Sequence, residues 1–233
     1  MKACDVIVQE RQKQLDDCKQ ELLGCIVAGV KREANIGRVG DESMFREYVR
    51  VSRTEGVGDK DATELVVGLL DEAGATASQK SAATGKNKTK EDSDLPTKVK
   101  DLIWEHREKT HEIRRLTKEL VGRVRSLRYF TVVRDLQRQS ETPPVISCPS
   151  CNRDDIPVNE IAVLSSCGHT GCLDCVKTCA EKEECVYAAS GSCRSAARVL
   201  NVVKGDTLGV DESREGRGKH YGMKLEKVID LIK

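Results

Sequence analysis

The sequence predicts a mainly α fold, in which a long antiparallel, coiled-coil-like helical arm is followed by a small cysteine-rich unit. Three observations carry this expectation. Apolar residues recur at spacings of three and four over two long stretches, as one face of a helix requires. Cysteines concentrate between residues 148 and 193. Hydrophobic residues make up 38% and aromatics only 3% of the 233 residues, too little for one large core and suited to small or elongated units.

Residues 1–74 read as a helical segment. Over 3–34, Leu15, Cys18, Leu22, Ile26 and Val30 form a single stripe, which Gly37 and Gly40 then break. A short second helix is expected over 42–53, with Met44, Phe45 and Val49 inward. A third begins at Asp61, whose side chain can cap free backbone amides while Glu64 stands three residues on; it buries Leu65, Val66, Leu69 and Leu70 and ends at Gly74. Residues 75–95 are mostly small or polar, so ordering them would cost chain entropy without apolar burial, and they read as a flexible linker.

Pro96 suits the first turn of a helix over 96–140, with Ile113, Leu116, Leu120, Val124 and Leu127 spaced as a coiled-coil seam. At 1.5 Å per residue such a helix is roughly 60 Å long. It cannot bury its stripe alone, and the N-terminal helix carries a matching one, so an antiparallel pair is the simplest arrangement. Pro143 and Pro144 mark the boundary to a finger over 145–205, and 206–233 reads as a linker and the start of a following unit.

Lys plus Arg number 39 against 38 Asp plus Glu, so a net charge of +1 gives no overall reason to expect nucleic acid or a membrane. No apolar run approaches the roughly 20 residues that span a bilayer. Eleven cysteines without an apolar leader near Met1 point to a reducing compartment, where thiols serve as metal ligands more readily than as disulfide partners. A soluble protein of the nucleus or cytosol, without a membrane partner, is expected.

Zinc in a structural site takes four Cys or His ligands in a tetrahedron, and a Cys-x2-Cys pair on a tight turn supplies two of them. Cys148-x2-Cys151 is followed by Cys167-x-His169, then Cys172-x2-Cys175, then Cys185 and Cys193, which makes four pairs of ligands for two zinc ions. Cys179 competes with Cys185 for the seventh place. Its spacing from Cys175 places both on one face of an expected helix, where its other reading is a buried thiol.

That order of one His and seven Cys resembles the RING finger of many ubiquitin ligases, over about Ile146 to Val203. The resemblance implies a ββα finger with interleaved ligands: Cys148, Cys151, Cys172 and Cys175 for one ion, and Cys167, His169, Cys185 and Cys193 for the other. It also implies recruitment of a ubiquitin-conjugating enzyme and ubiquitin, without a covalent intermediate and through catalysis by orientation. Arg194 fits the cationic residue after the last ligand that bridges enzyme and ubiquitin in that family; its other reading is an exposed Arg with no partner. Three positions depart from the family. Ser150 stands where Ile or Val is usual, Gly171 where an aromatic often packs, and Val186 where Pro is common.

Two further strings are similar to parts of Swi/Snf-related helicase-like ATPases in which a RING lies between the motor lobes. They are Arg125-Ser-Leu-Arg-Tyr-Phe130 before the finger, and His220 to Ile232 after it, with Leu225, Val228 and Leu231 regularly spaced. The resemblance implies a chromatin or DNA-repair ATPase with DNA as partner. This chain has no phosphate-cradling Gly-x4-Gly-Lys loop of its own. Asp71-Glu72-Ala73-Gly74 is read as a frayed helix end, and Gly85-Lys86 as linker.

Arg107, Arg114, Arg115, Arg123, Arg125, Arg128, Arg134 and Arg138 make the long helix basic, either a solvated face or a track for DNA phosphates. Trp104 reads as packing, His106 and His111 as isolated, and Cys18 and Cys25 as core thiols. The expected function is therefore a zinc-dependent ubiquitin ligase inserted in such an ATPase, with a non-catalytic zinc-binding structural or docking module as the alternative and an unknown protein substrate.

Overall fold

The computed structural model describes residues 3–35, 57–81, 95–137 and 146–208. Among them are four α-helices, α1 (Ala3–Asn35), α2 (Lys60–Ser81), α3 (Leu95–Gln137) and α4 (Leu173–Glu181), and three strands, β1 (Ile161–Leu164), β2 (Thr170–Cys172) and β3 (Val202–Lys204). The protein is mainly helical, with a small sheet. The expectations for 42–53, for the linker beyond Ser81, for Pro143 and Pro144, for Arg138 and for His220 to Ile232 lie outside the described residues.

Helices α1 and α3 run antiparallel. From one end to the other, Cys4 meets Gln137, Gln14 meets Arg123, Cys18 meets the Leu116 carbonyl, Cys25 meets Lys109 and Arg32 meets Glu105. Leu15, Cys18, Leu22, Cys25 and Ile26 of α1 bury against Leu116, Leu120, Val121 and Val124 of α3. Ala62, Val66, Leu69, Leu70 and Ala73 of α2 close the third side. Each fully buried Leu or Ile contributes about 1.5–3 kcal/mol relative to exposure, so this seam, not helix propensity, holds the arm.

Helix α2 departs from expectation at both ends. Its cap is Asp59, whose Oδ1 accepts from the Ala62 amide at 3.4 Å. Asp61, expected in that role, turns its carboxylate to Arg128. At the other end the helix continues through Gly74 to Ser81. An interior Gly costs only about 1 kcal/mol, Ala73 is wholly buried, and the Ala residues beyond it favour helix. Asp71 to Gly74 is therefore not a frayed end.

The sheet is antiparallel in the order β2-β1-β3. All four residues of β1 are buried. Alternation sends Ala162 and Leu164 into a cluster with Val176, Val186 and Ala197, and Ile161 and Val163 into another with Leu136, Ile156 and, partly buried, Tyr129 and Val132. One face of the strand thus packs into the small lobe and the other onto the end of α3. No helix among the described residues is long and apolar enough to cross a membrane.

Candidate metal centre

The chain brings all eight candidate ligands together in two groups of four. Cys148, Cys151, Cys172 and Cys175 form the first, and Cys167, His169, Cys185 and Cys193 the second; within each group the ligand atoms lie within 4.8 Å of one another. The element that sorts them is the β1–β2 hairpin. Its turn carries Cys167 and His169, where the Gly168 amide donates to the Leu164 carbonyl at 2.7 Å. Three residues later β2 delivers Cys172 to the other group. Cys172 is also the N-cap of α4, and Cys175 lies in its first turn, so the positive end of that helix faces the first group and favours thiolates. Cys148 and Cys151 sit on a tight turn closed by the Asn152 amide donating to the Cys148 carbonyl at 2.8 Å.

The separations suit a tetrahedral ion. Sγ of Cys151 and Cys172 are 3.8 Å apart, and Sγ of Cys167 and Cys185 are 3.7 Å apart. A tetrahedron with metal–sulfur bonds of about 2.3 Å has edges of about 3.8 Å, far beyond the roughly 2.05 Å of a disulfide. His169 Nδ1 lies 3.4 Å from Cys185 Sγ. The second group is the more enclosed, with Cys167, Cys185 and Cys193 buried, whereas Cys151 is exposed in the first.

Neighbouring groups fix the ligands. The Tyr187 and Ser195 amides donate to Cys185 Sγ at 3.5 Å and Cys193 Sγ at 3.4 Å. The Tyr187 ring lies over His169, with centroids 4.5 Å apart. Gly191, at φ +70°, lets the long loop between Cys185 and Cys193 fold back. Cys185 therefore stands in the second group, and Cys179 packs partly buried against the apolar cluster. Gly171 is explained as well: a Cβ there would lie 3.3 Å from Cys148 Sγ and 3.3 Å from Val176, so no aromatic fits. Val186 is buried beside it, while Ser150 is exposed.

Crowding splits the thiols. Burial would raise the Cys148 thiol, but the backbone amides of Cys172, Cys151 and Ser150 bring it down to about 6. Cys175 is pushed up to about 12 by burial and by Cys172. In the second group the Cys167 and Cys185 thiols hold Cys193 low, and Cys185 is held high by Cys167 and Cys193. Burial would lower His169, yet Cys167 and Cys193 raise it to about 9. Thiols packed this closely oppose one another's ionisation, a repulsion that a bound cation would relieve.

The sequence did not single out the junction that ties this centre to the arm. Asp59, its side chain fully buried, accepts from both terminal nitrogens of Arg128, at 2.8 and 3.1 Å, and from Arg125 at 3.5 Å. Arg128 also donates to the Cys167 carbonyl at 2.8 Å. Burial would raise the Asp59 carboxyl, but Arg128 holds it below its ordinary value. Asp59 forms an antiparallel bridge with Cys193, flanked by the Lys60 amide to the Ser192 carbonyl and the Arg194 amide to the Gly58 carbonyl, each at 2.9 Å. Of the neighbouring aromatics, Tyr129 packs on the lobe and the Phe130 ring lies 5.3 Å from the Arg11 guanidinium of α1.

The basic residues of the long helix, read as either a solvated face or a track for phosphates, divide between ion pairs and solvent. Arg115 and Arg123 pair with Glu119, and Arg134 with Asp135; Arg107 and Arg114 are exposed. Trp104 is 64% exposed, against the packing expected, and His106 is buried while His111 is exposed. Cys18 and Cys25 are buried, and burial raises both thiols, Cys25 to about 12. Arg194 lies exposed beside Cys193.

No protein-family model matches the chain. It is 33% identical over 243 aligned residues to the DNA (cytosine-5-)-methyltransferase DMT5 of Cryptococcus neoformans var. grubii. The alignment covers 99% of this chain and 10% of that relative, so the chain spans about a tenth of the relative's length. The relative is named for DNA methylation and not for ubiquitin transfer or helicase activity. On that finding the expectations of a RING ubiquitin ligase, of a ubiquitin transferase and of a helicase-like ATPase are corrected. What the comparison establishes is that nearly the whole chain is similar to one segment of a DNA (cytosine-5-)-methyltransferase.

Proposed function

We propose that this chain is a zinc-braced structural module of a DNA methyltransferase-related protein of the nucleus, in which two zinc ions fix a small lobe onto a helical arm. The observation that carries the reading is the pair of four-ligand groups with tetrahedral spacing, set in a chain nearly all of which matches a tenth of a DNA methyltransferase. Zinc suits the donor set, since seven thiols and one imidazole in closed groups of four are structural-site ligands for that ion. Bound zinc would supply charge neutralisation and a cross-link, while Cys148 to Cys175 and Cys167 to Cys193 hold β2, α4 and the loop before Cys193 in place. The order β1, β2, α4 supports a ββα finger for this lobe, used as a brace. DNA enters as the partner of the longer protein.

Elemental analysis of the purified chain should return two zinc ions, and one after Cys148→Ser or Cys193→Ser. No zinc in a folded chain would overturn the metal reading. Placed in a longer methyltransferase-related protein, Cys193→Ser should lower 5-methylcytosine formation; unchanged methylation would remove the link to that activity.

A further inference from the structure

The second metal group has one wall that the small lobe does not supply. Its last ligand, Cys193, lies in a strand-like bridge with Asp59, from a segment more than a hundred residues earlier in the chain. The Lys60 amide and the Gly58 carbonyl complete the bridge on either side, through Ser192 and Arg194. Its first ligand, Cys167, has its carbonyl held by Arg128 of α3. The same guanidinium grips both carboxylate oxygens of Asp59. One buried ion pair therefore holds the backbone at both the first and the last ligand of the group, and both of its members belong to the arm. Among the described residues the 57–60 segment makes no such bridge to the first group, whose Cys148 and Cys172 meet α3 only through apolar packing on Leu136, Tyr129 and Val132.

We propose that Asp59 and Arg128 are positioning residues for the second metal group, so that its hold on zinc depends on the docked helical arm. The inference rests on the zinc reading above. It extends the binding unit beyond residues 145–205 to the entry of α2 and the middle of α3. Residues that orient metal ligands typically alter metal affinity by about 10- to 100-fold when replaced, and a bidentate Arg–carboxylate pair fixes geometry that a lone contact cannot.

The test uses the full chain loaded with cadmium-113, because a four-cysteine group and a three-cysteine, one-histidine group give separate resonances. Zinc release to a chromogenic chelator is followed in parallel. Asp59→Asn keeps the shape and the acceptor for the Ala62 amide but removes the charge. Lys60→Pro removes the amide that reaches Ser192 while leaving Asp59 intact; Pro is favoured at the first position of a helix, so α2 is retained. Both variants should release one of the two ions about 10- to 100-fold faster and perturb the resonance of the histidine-containing group. The four-cysteine resonance and the helical circular dichroism should stay as in the parent.

Equal acceleration of both ions, or no change in either variant, overturns the proposal while leaving two-zinc binding intact. A parent chain that takes up no zinc or cadmium overturns the metal reading itself. If Asp59→Asn fails to fold, Arg128→Lys, which keeps the charge but loses the two-pronged grip on Asp59, takes its place with the same expected outcomes.

Discussion

Gly168 lies directly against the backbone of Tyr129: a Cβ on Gly168 would stand 2.5 Å from the Tyr129 amide nitrogen and 3.0 Å from its Cα. The residue between two ligands of the second group thus abuts α3 directly, and its φ of +76° is one that side chains rarely adopt. Gly168→Ala should destabilise the metal-loaded chain by about 2–4 kcal/mol, combining left-handed strain with overpacking. Urea unfolding of the loaded protein measures it; a loss below the error of the method would show that the contact is easily relieved.

Gly171→Val should act on the other group. The added methyls enter the space between Cys148 Sγ and Val176, each already 3.3 Å from a bare Cβ. Zinc content is expected to fall from two ions to about one, with the first group emptied. Full occupancy would mean that Cys148 can shift without losing its ligand geometry.

Cys179→Ser and Cys185→Ser should separate cleanly. Cys185 belongs to the second group and Cys179 to neither. The Cys179 variant should keep both ions, and the Cys185 variant should lose one. The reverse result would reassign the seventh ligand.

Chelation should divide the molecule. The lobe's apolar clusters are built around ligand cysteines, so removing metal should release the folding energy that zinc supplies, about 10–16 kcal/mol in small zinc peptides. The α1–α3 seam contains no ligand and should keep most of its helical signal. Because thiolate ligands compete with protons, loss of metal should also occur on acidification and not on moderate alkalinisation. Amide exchange read by segment checks both; uniform exposure would show that the arm cannot stand without the lobe.

Leu120→Ala should cost about 2–5 kcal/mol through the cavity left in the seam, since Leu120 is wholly buried at the junction of three helices. Thermal unfolding with metal in excess would register it, and a shift within error would place the load of the arm elsewhere.

Local patterns were readable where a feature depends on neighbours in sequence. The stripe of α1 and the seam of α3 announce themselves because a helix returns to the same face every three or four residues. The eight ligands stood out because metal chemistry admits few residue types. Asp59 did not, since its role is assembled from α2, α3 and the loop at Cys193, and nothing beside it in the chain marks that meeting. For the same reason Arg125 and Arg128 read only as a solvated face or a phosphate track, when both pair with one buried carboxylate. The activity expected from the ligand order was misjudged for a related reason: a ligand pattern specifies how a metal is held and leaves open what the surrounding protein does.

Strand β1 has no face toward water, since one side belongs to the lobe and the other to the helix end. To swivel, the lobe would have to expose the Ile161 and Val163 face of the strand to water, so packing favours lobe and helix turning together. With α3 extending 43 residues, or about 64 Å at 1.5 Å per residue, the lobe sits at one end of a long lever whose other end is Leu95.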